Sequence, residues 1–198
     1  MPRTKKQFEE IRESTKKEIL DVSLKLFAEK GYYGTSISSI AKEAKISKGL
    51  IYNYFESKIA IVDALYANLI NEFEKIMSPI NEMKDPFNKL QKIIIDTIKY
   101  TVENRSYWRL YLNFILQPAP LSFEQVFTPK FFNKFFSDFA KIFKKIGVND
   151  PKFQAYEFAA ILDGMQMHLL FMEDLYPIKG MQKHILKKYS KEELLKVK

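Results

Sequence analysis

The chain has 198 residues, 46% of them hydrophobic, with no cysteine and a net charge of +8. This is enough apolar material for one or two cores without disulfides, which fits a reducing compartment. The absence of a long uncharged apolar run argues against a membrane span or a secretory leader, so a soluble cytoplasmic protein with no membrane partner is expected.

Residues 1–60 carry 12 Lys and Arg against 8 Asp and Glu, so half of the surplus charge lies in the shorter front part. Such a balance suits a polyanionic partner and equally a solvated surface. The polar start up to Ser14, with Arg3, Lys5 and Lys6 at its tip, reads either as a frayed tail or as an arm able to reach a DNA backbone or minor groove. From Thr15 to Glu18 the residues have the form of a capping box. Ile19, Val22, Leu26 and Phe27 then make an apolar stripe that stops at Gly31.

Next, Ile37, Ile40, Ala41 and Ala44 repeat at helical spacing, Ile46 interrupts, and Leu50, Ile51, Tyr54 and Phe55 resume the pattern. Two short helices with a tight turn follow from this. Ser36, Ser47 and Ser57 stand where the free N–H groups of three successive helices need acceptors. The second short helix cannot stand alone and must be held through Ile51 and Phe55, which leaves Lys48, Gly49, Tyr52 and Asn53 outside. A thin tip with one cation, a glycine, a phenol and an amide suits a DNA major groove. The residues alone also permit a plain helical hairpin with a polar outer face.

A fourth helix is expected from Lys58 to about Met77, ended by Pro79. Asp85 and Pro86 open a helix to about Asn104, and another runs from Tyr107 to Leu116. A capping box at Ser122 to Gln125 precedes Thr128 and Pro129, which start a helix rich in phenylalanine (Phe131, Phe132, Phe135, Phe136, Phe139 and Phe143) and closed by Gly147; its aromatics predict burial on two faces. Asp150 and Pro151 start a long helix to about Asp174, Pro177 breaks it, and a last helix runs from Ile178 to Tyr189 before a charged tail. With no strand alternation and no repeat, the reading is all-α.

The stretch 15–62 resembles the signature of the TetR family of bacterial transcriptional repressors. The similarity rests on the Gly31-Tyr32 pair, Thr35, Ile40-Ala41, Ala44, Ser47, Gly49, Tyr52, Tyr54-Phe55 and Lys58. It implies an N-terminal three-helix helix-turn-helix DNA-binding domain at 1–60, joined by a connecting helix to a C-terminal helical bundle at 61–198 for ligand binding and dimerisation. It further implies a recognition helix from about Lys48 to Phe55, with Lys48, Gly49, Leu50 and Asn53 towards base edges, and Thr35, Ser36, Ser38, Tyr52, Tyr54 and Lys58 on phosphates. One position departs from the family's habit: the turn holds Lys45 where glycine is usual. A left-handed backbone there costs a non-glycine residue about 1 kcal/mol.

For the second half, Trp108, Tyr111, Phe114 and Ile115 share a helix face; they read as a pocket wall or as ordinary core, and Met165 and His168 are taken with them as candidate ligand-binding residues. Small residues and methionines in the long helix suggest a subunit interface through Phe158, Leu162, Met165, Leu169 and Met172, with Ile185 from the last helix, in line with the twofold dimers that the resemblance implies. Asp163 and His168 are five apart and do not share a face, so no metal site and no cofactor are expected. Two isolated histidines, no cysteine, no phosphate-binding glycine loop and no HExxH pair leave no catalytic constellation. The expected function is a homodimeric repressor that binds a palindromic double-stranded DNA operator and is released by a small apolar or aromatic effector. The competing reading is a helical small-molecule-binding module without sequence-specific DNA function.

Overall fold

The computed structural model describes residues 4–116 and 128–196, apart from the side chains of Phe73, Tyr111 and residues 113–116. Among the described residues there are ten α-helices and no strand: α1 (Lys5–Lys30), α2 (Ile37–Glu43), α3 (Lys48–Tyr52), α4 (Lys58–Glu82), α5 (Pro86–Glu103), α6 (Arg105–Leu116), α7 (Pro129–Ile146), α8 (Pro151–Met172), α9 (Ile178–Lys188) and α10 (Lys191–Leu195). Arg3 and the expected capping box at Ser122 to Gln125 lie outside the described residues. The chain divides into two compact units, Met1–Ile70 with Ser106–Gln125, and Asn71–Arg105 with Val126–Lys198. The division therefore falls inside α4, not between residues 60 and 61 as read from the sequence, and it groups most of α6 with the front.

In the first unit, α1 begins well before Thr15. The Thr4 side chain accepts from the Gln7 backbone N–H at 3.3 Å, while the Thr4 backbone N–H donates to Gln7 Oε1 at 2.8 Å, and this reciprocal pair starts the helix. Thr15 is interior, its hydroxyl donating to the Ile11 carbonyl at 2.8 Å. The expected tail is thus a helix from Lys5 onward, and its signal, Thr4 followed three residues later by Gln7, is present in the sequence. At the other end the Gly31 N–H donates to Phe27 O at 3.0 Å. Gly34 must be glycine, because a Cβ there would lie 2.4 Å from the Lys30 carbonyl oxygen. Beneath, α1 packs on α2 and α2 on α3, over a core that includes Ile19, Phe27, Ile40, Ile51, Ile61 and Val62.

Pro79 does not end α4; it sits inside the last turns, and the helix continues to Glu82. A proline in a helix forfeits one backbone hydrogen bond. Here the next residue, Ile80, is buried in the second unit's core, and that burial holds the final turn.

The second unit is built on aromatic packing. α7 lies along α8, and α5 packs on α7, α8 and α9. Asp85 caps α5 through the N–H groups of Phe87 and Asn88 at 2.7 and 3.0 Å, Thr128 caps α7, and Gly147 ends α7 with a left-handed φ of 82°. The phenylalanines of α7 bury one broad face, not two: Phe139 and Phe143 are enclosed, Phe131, Phe135 and Phe136 half-buried, and Phe132 exposed. Phe158 of α8 meets Phe139, Phe143 and Tyr189 edge-on, with ring centroids 5.4, 5.8 and 4.8 Å apart. The charged tail holds one more short helix, α10, capped by Ser190, and its Leu194 and Leu195 pack against this core.

Candidate nucleic-acid interface

The three serine caps close as their spacing predicts. Ser36 Oγ accepts from the Ser39 N–H at 3.0 Å, and Ser39 Oγ in turn accepts from the Ser36 N–H at 3.0 Å, so a second serine completes the capping box at α2. Ser47 Oγ accepts from the Leu50 N–H at 3.1 Å, and Ser57 Oγ from the Ala60 N–H at 3.2 Å. Between α2 and α3 the backbone turns at Lys45, whose φ of 55° is left-handed. The Ile46 N–H then reaches back to Ala41 O at 3.0 Å.

α3 is five residues long and ends at Tyr52, shorter than the predicted run to Phe55. Tyr54 and Phe55 follow in a turn, their N–H groups donating to Ile51 O at 2.9 and 3.0 Å. Ile51 and Phe55 are buried and anchor the inner side. Lys48, Gly49 and Asn53 are exposed, Tyr52 is 47% exposed, and Leu50 is half-buried. Ser36 and Ser38 are exposed at the start of α2. Lys42, Lys45 and Lys48 are exposed as well and form no contact ion pair among the described residues, whereas Lys25 is paired with Glu43 at 3.1 Å. The surface around α3 is therefore rich in donors and in uncompensated positive charge, the pattern that suits a phosphate backbone.

Two predicted phosphate contacts are redirected by the structure. Thr35 is only 1% exposed, and its hydroxyl lies 3.1 and 2.9 Å from the carbonyl oxygens of Leu26 and Gly31, to which it donates internally. Lys58 Nζ donates to the carbonyls of Tyr32 and Thr35, both at 2.8 Å, and sits 4.0 Å from the centre of the Tyr32 ring. Burial pulls the Lys58 pKa down. Thr35 and Lys58 thus tie the loop after α1 to the start of α4. The sequence pattern marks these positions without distinguishing a residue that holds the motif from one that touches a ligand. A residue missed in the sequence is Arg12, whose guanidinium lies 5.3 Å from the centre of the half-buried Tyr54 ring. No local spacing announces a contact across so many residues.

The candidate ligand residues do not come together in one unit. Trp108 is half-buried on α6, grouped with the front; the side chains of Tyr111, Phe114 and Ile115 lie outside the described residues. Met165 is 2% exposed in the second unit's core, and His168, expected to be enclosed, is exposed with its ring 5.6 Å from that of Tyr176. The predicted dimer residues also need correction. Phe158, Leu162, Met165, Leu169 and Ile185 are all buried within their own unit and cannot meet a partner; of that set only Met172 is exposed. The outward side of α8 instead carries Phe153, Ala160, Gly164, Met167 and Phe171, at intervals of three to seven residues along one stripe.

A short reading helix held by caps and two buried side chains, at the head of an all-helical chain, defines a helix-turn-helix regulator. Comparison with known proteins agrees. Residues 19–65 match the family described as bacterial regulatory proteins, tetR family. Over 79 residues the chain is 39% identical to the HTH-type transcriptional regulator HbdR of Aromatoleum sp. (strain CIB), a match covering 39% of this chain and 34% of the relative, so it spans about a third of that protein's length. The HTH-type transcriptional regulator BetI of Burkholderia lata is 25% identical over 165 residues, covering 78% of this chain and 81% of BetI. The crystal structure of AibR in complex with isovaleryl coenzyme A and operator DNA superimposes with a TM-score of 0.68 at 17% identity, covering 87% of this chain and 96% of AibR. The chain belongs to the TetR family. That family and these relatives are transcriptional regulators, not enzymes.

Proposed function

We propose that the protein is a homodimeric TetR-type repressor that binds a palindromic operator through α3 and leaves it when a small apolar or aromatic effector binds the C-terminal helices. The observation that carries this reading is the exposed tip of α3, where Lys48, Gly49, Tyr52 and Asn53 project from a helix fixed by the Ser47 cap and by buried Ile51 and Phe55. Lys48, Gly49, Leu50 and Asn53 read base edges, while Ser36, Ser38, Tyr52 and Tyr54 lie along phosphates. The dimer is required because each reading helix covers one half-site and two must be held at a set spacing. The stripe of α8 from Phe153 through Ala160, Gly164 and Met167 to Phe171 supports that assembly: Gly164 has open space where a Cβ would stand, so a second helix can approach closely. The effector acts by binding more tightly to the form that does not hold DNA.

Selection of bound sequences from a random duplex pool, at about 150 mM salt where purely electrostatic binding fades, tests the reading. An enriched palindrome is expected. Lys48→Ala then changes base preference, and Tyr52→Phe weakens all sequences alike. A folded protein that enriches no sequence would point to the alternative, a helical ligand-binding module. Gly164→Glu is expected to give a folded monomer in sedimentation, and a dimer of unchanged strength would remove α8 from the interface.

A further inference from the structure

Within the second unit the loop before α8, the first turns of α8 and the end of α9 surround a cavity of about 610 Å³. This lies within the size of small-molecule sites, on the order of 300–1,000 Å³. Its charged wall comprises Asp150, Glu157, His184, Lys187, Lys188 and Glu193; Tyr189 also lines it, and Val148 and Leu194 add apolar surface.

The three carboxylates of this wall are already engaged. Asp150 accepts from the Phe153 backbone N–H at 3.4 Å, Glu157 is paired with Lys188 at 2.9 Å and accepts from the Gln154 amide at 3.1 Å, and Glu193 is paired with Lys196 at 3.0 Å. The donors are in the opposite condition. Tyr189 is fully buried, its ring set between those of Phe143 and Phe158, and its hydroxyl makes no hydrogen bond among the described residues. Burial first, and the Glu157 carboxylate second, hold this phenol far above its usual range, so it keeps its proton and remains a donor. Lys187 influences Glu193 from a distance but forms no contact ion pair among the described residues, and the exposed His184 likewise has no hydrogen-bond or ion-pair partner there. A buried donor without an acceptor is costly and rare in folded proteins, and here it stands beside two cationic or ionisable groups with none of the acids free to match them.

We propose that this cavity binds a small organic anion, a carboxylate or phosphate with a short apolar body, whose oxygens accept from Tyr189, Lys187 and His184 while the body rests on Val148 and Leu194. Charge-assisted hydrogen bonds of this kind are short and strong, and the neutralised acids of the wall do not repel the ligand. The site is independent of DNA reading and stands or falls without it.

The chain's two histidines supply the experiment, since His184 lines the cavity and His168 lies elsewhere, against Tyr176. The full-length protein is titrated with benzoate and, separately, with inorganic phosphate while the ring protons of both histidines are followed by NMR. A saturable shift of His184 with a stationary His168 is expected for at least one probe, and which probe acts tells carboxylate from phosphate. Tyr189→Phe, which keeps the ring packing, is expected to weaken that probe at least fivefold, and Lys187→Gln, on the surface, at least twofold. Equal and unsaturating drift of both histidines, no response to either probe, or undiminished affinity in both variants overturns the proposal.

Discussion

α3 has five residues and α8 has twenty-two, and the two units that contain them hold their helices by different means. Around α3 the restraint is polar and local: Ser36, Ser47 and Ser57 cap successive helices, while Thr35 and Lys58 bond carbonyls of the loop after α1. In the second unit it is apolar and distributed, through Phe139, Phe143, Phe158 and Tyr189. The difference follows from what each part must leave exposed. A helix of one or two turns that keeps its outer side for a partner has too little surface to be held by burial alone, so hydrogen bonds to its ends and loops take over. Long helices bury enough area to need few such ties.

The largest effect is expected where the second unit's logic is broken. Phe158→Ala removes a fully buried ring in contact with three others and should destabilise that unit by about 3–5 kcal/mol, read as a lowered urea midpoint. In the front unit, Lys58→Met keeps most of the apolar stem but leaves the Tyr32 and Thr35 carbonyls without their donor. It should cost about 2 kcal/mol, visible as faster amide exchange in residues 31–65 with little change in α7 and α8. A loss confined to the second unit would reverse the comparison. Ser47→Ala removes one cap and should cost about 1 kcal/mol, together with weaker operator binding because α3 frays. Lys45→Gly acts in the other direction. It relieves a left-handed non-glycine residue and should raise stability by up to about 1 kcal/mol in the same melts, and weaker DNA binding in that variant would assign the lysine a phosphate contact.

Much of the front was readable because its devices are residue types at fixed offsets. Serine before a helix, isoleucine at helical spacing and a departure from glycine at Lys45 each made a local statement that the structure repeats, down to the positive φ. The same logic, applied one step further, would have found the Thr4–Gln7 capping box and the true start of α1. Errors arose where one residue type serves two ends. Phe158 and Phe171 look alike in sequence, yet one is enclosed and the other is 67% exposed, because the helical stripe that meets α7 is set by packing and not by hydrophobicity. Pro79 likewise marks a helix end by its chemistry, and the burial of Ile80 overrides it.

The sequence by itself determined the all-helical class, the helix-turn-helix, its three serine caps and the family to which the chain belongs, since all of these rest on short-range spacing. Tertiary structure alone decided that Thr35 and Lys58 brace the motif from within, that Phe158, Leu162 and Met165 belong to the protomer's own core, and that Tyr189 has a buried hydroxyl in the wall of a cavity. Each of these depends on which distant segment covers a side chain, and burial by a distant segment leaves no periodic trace in the chain.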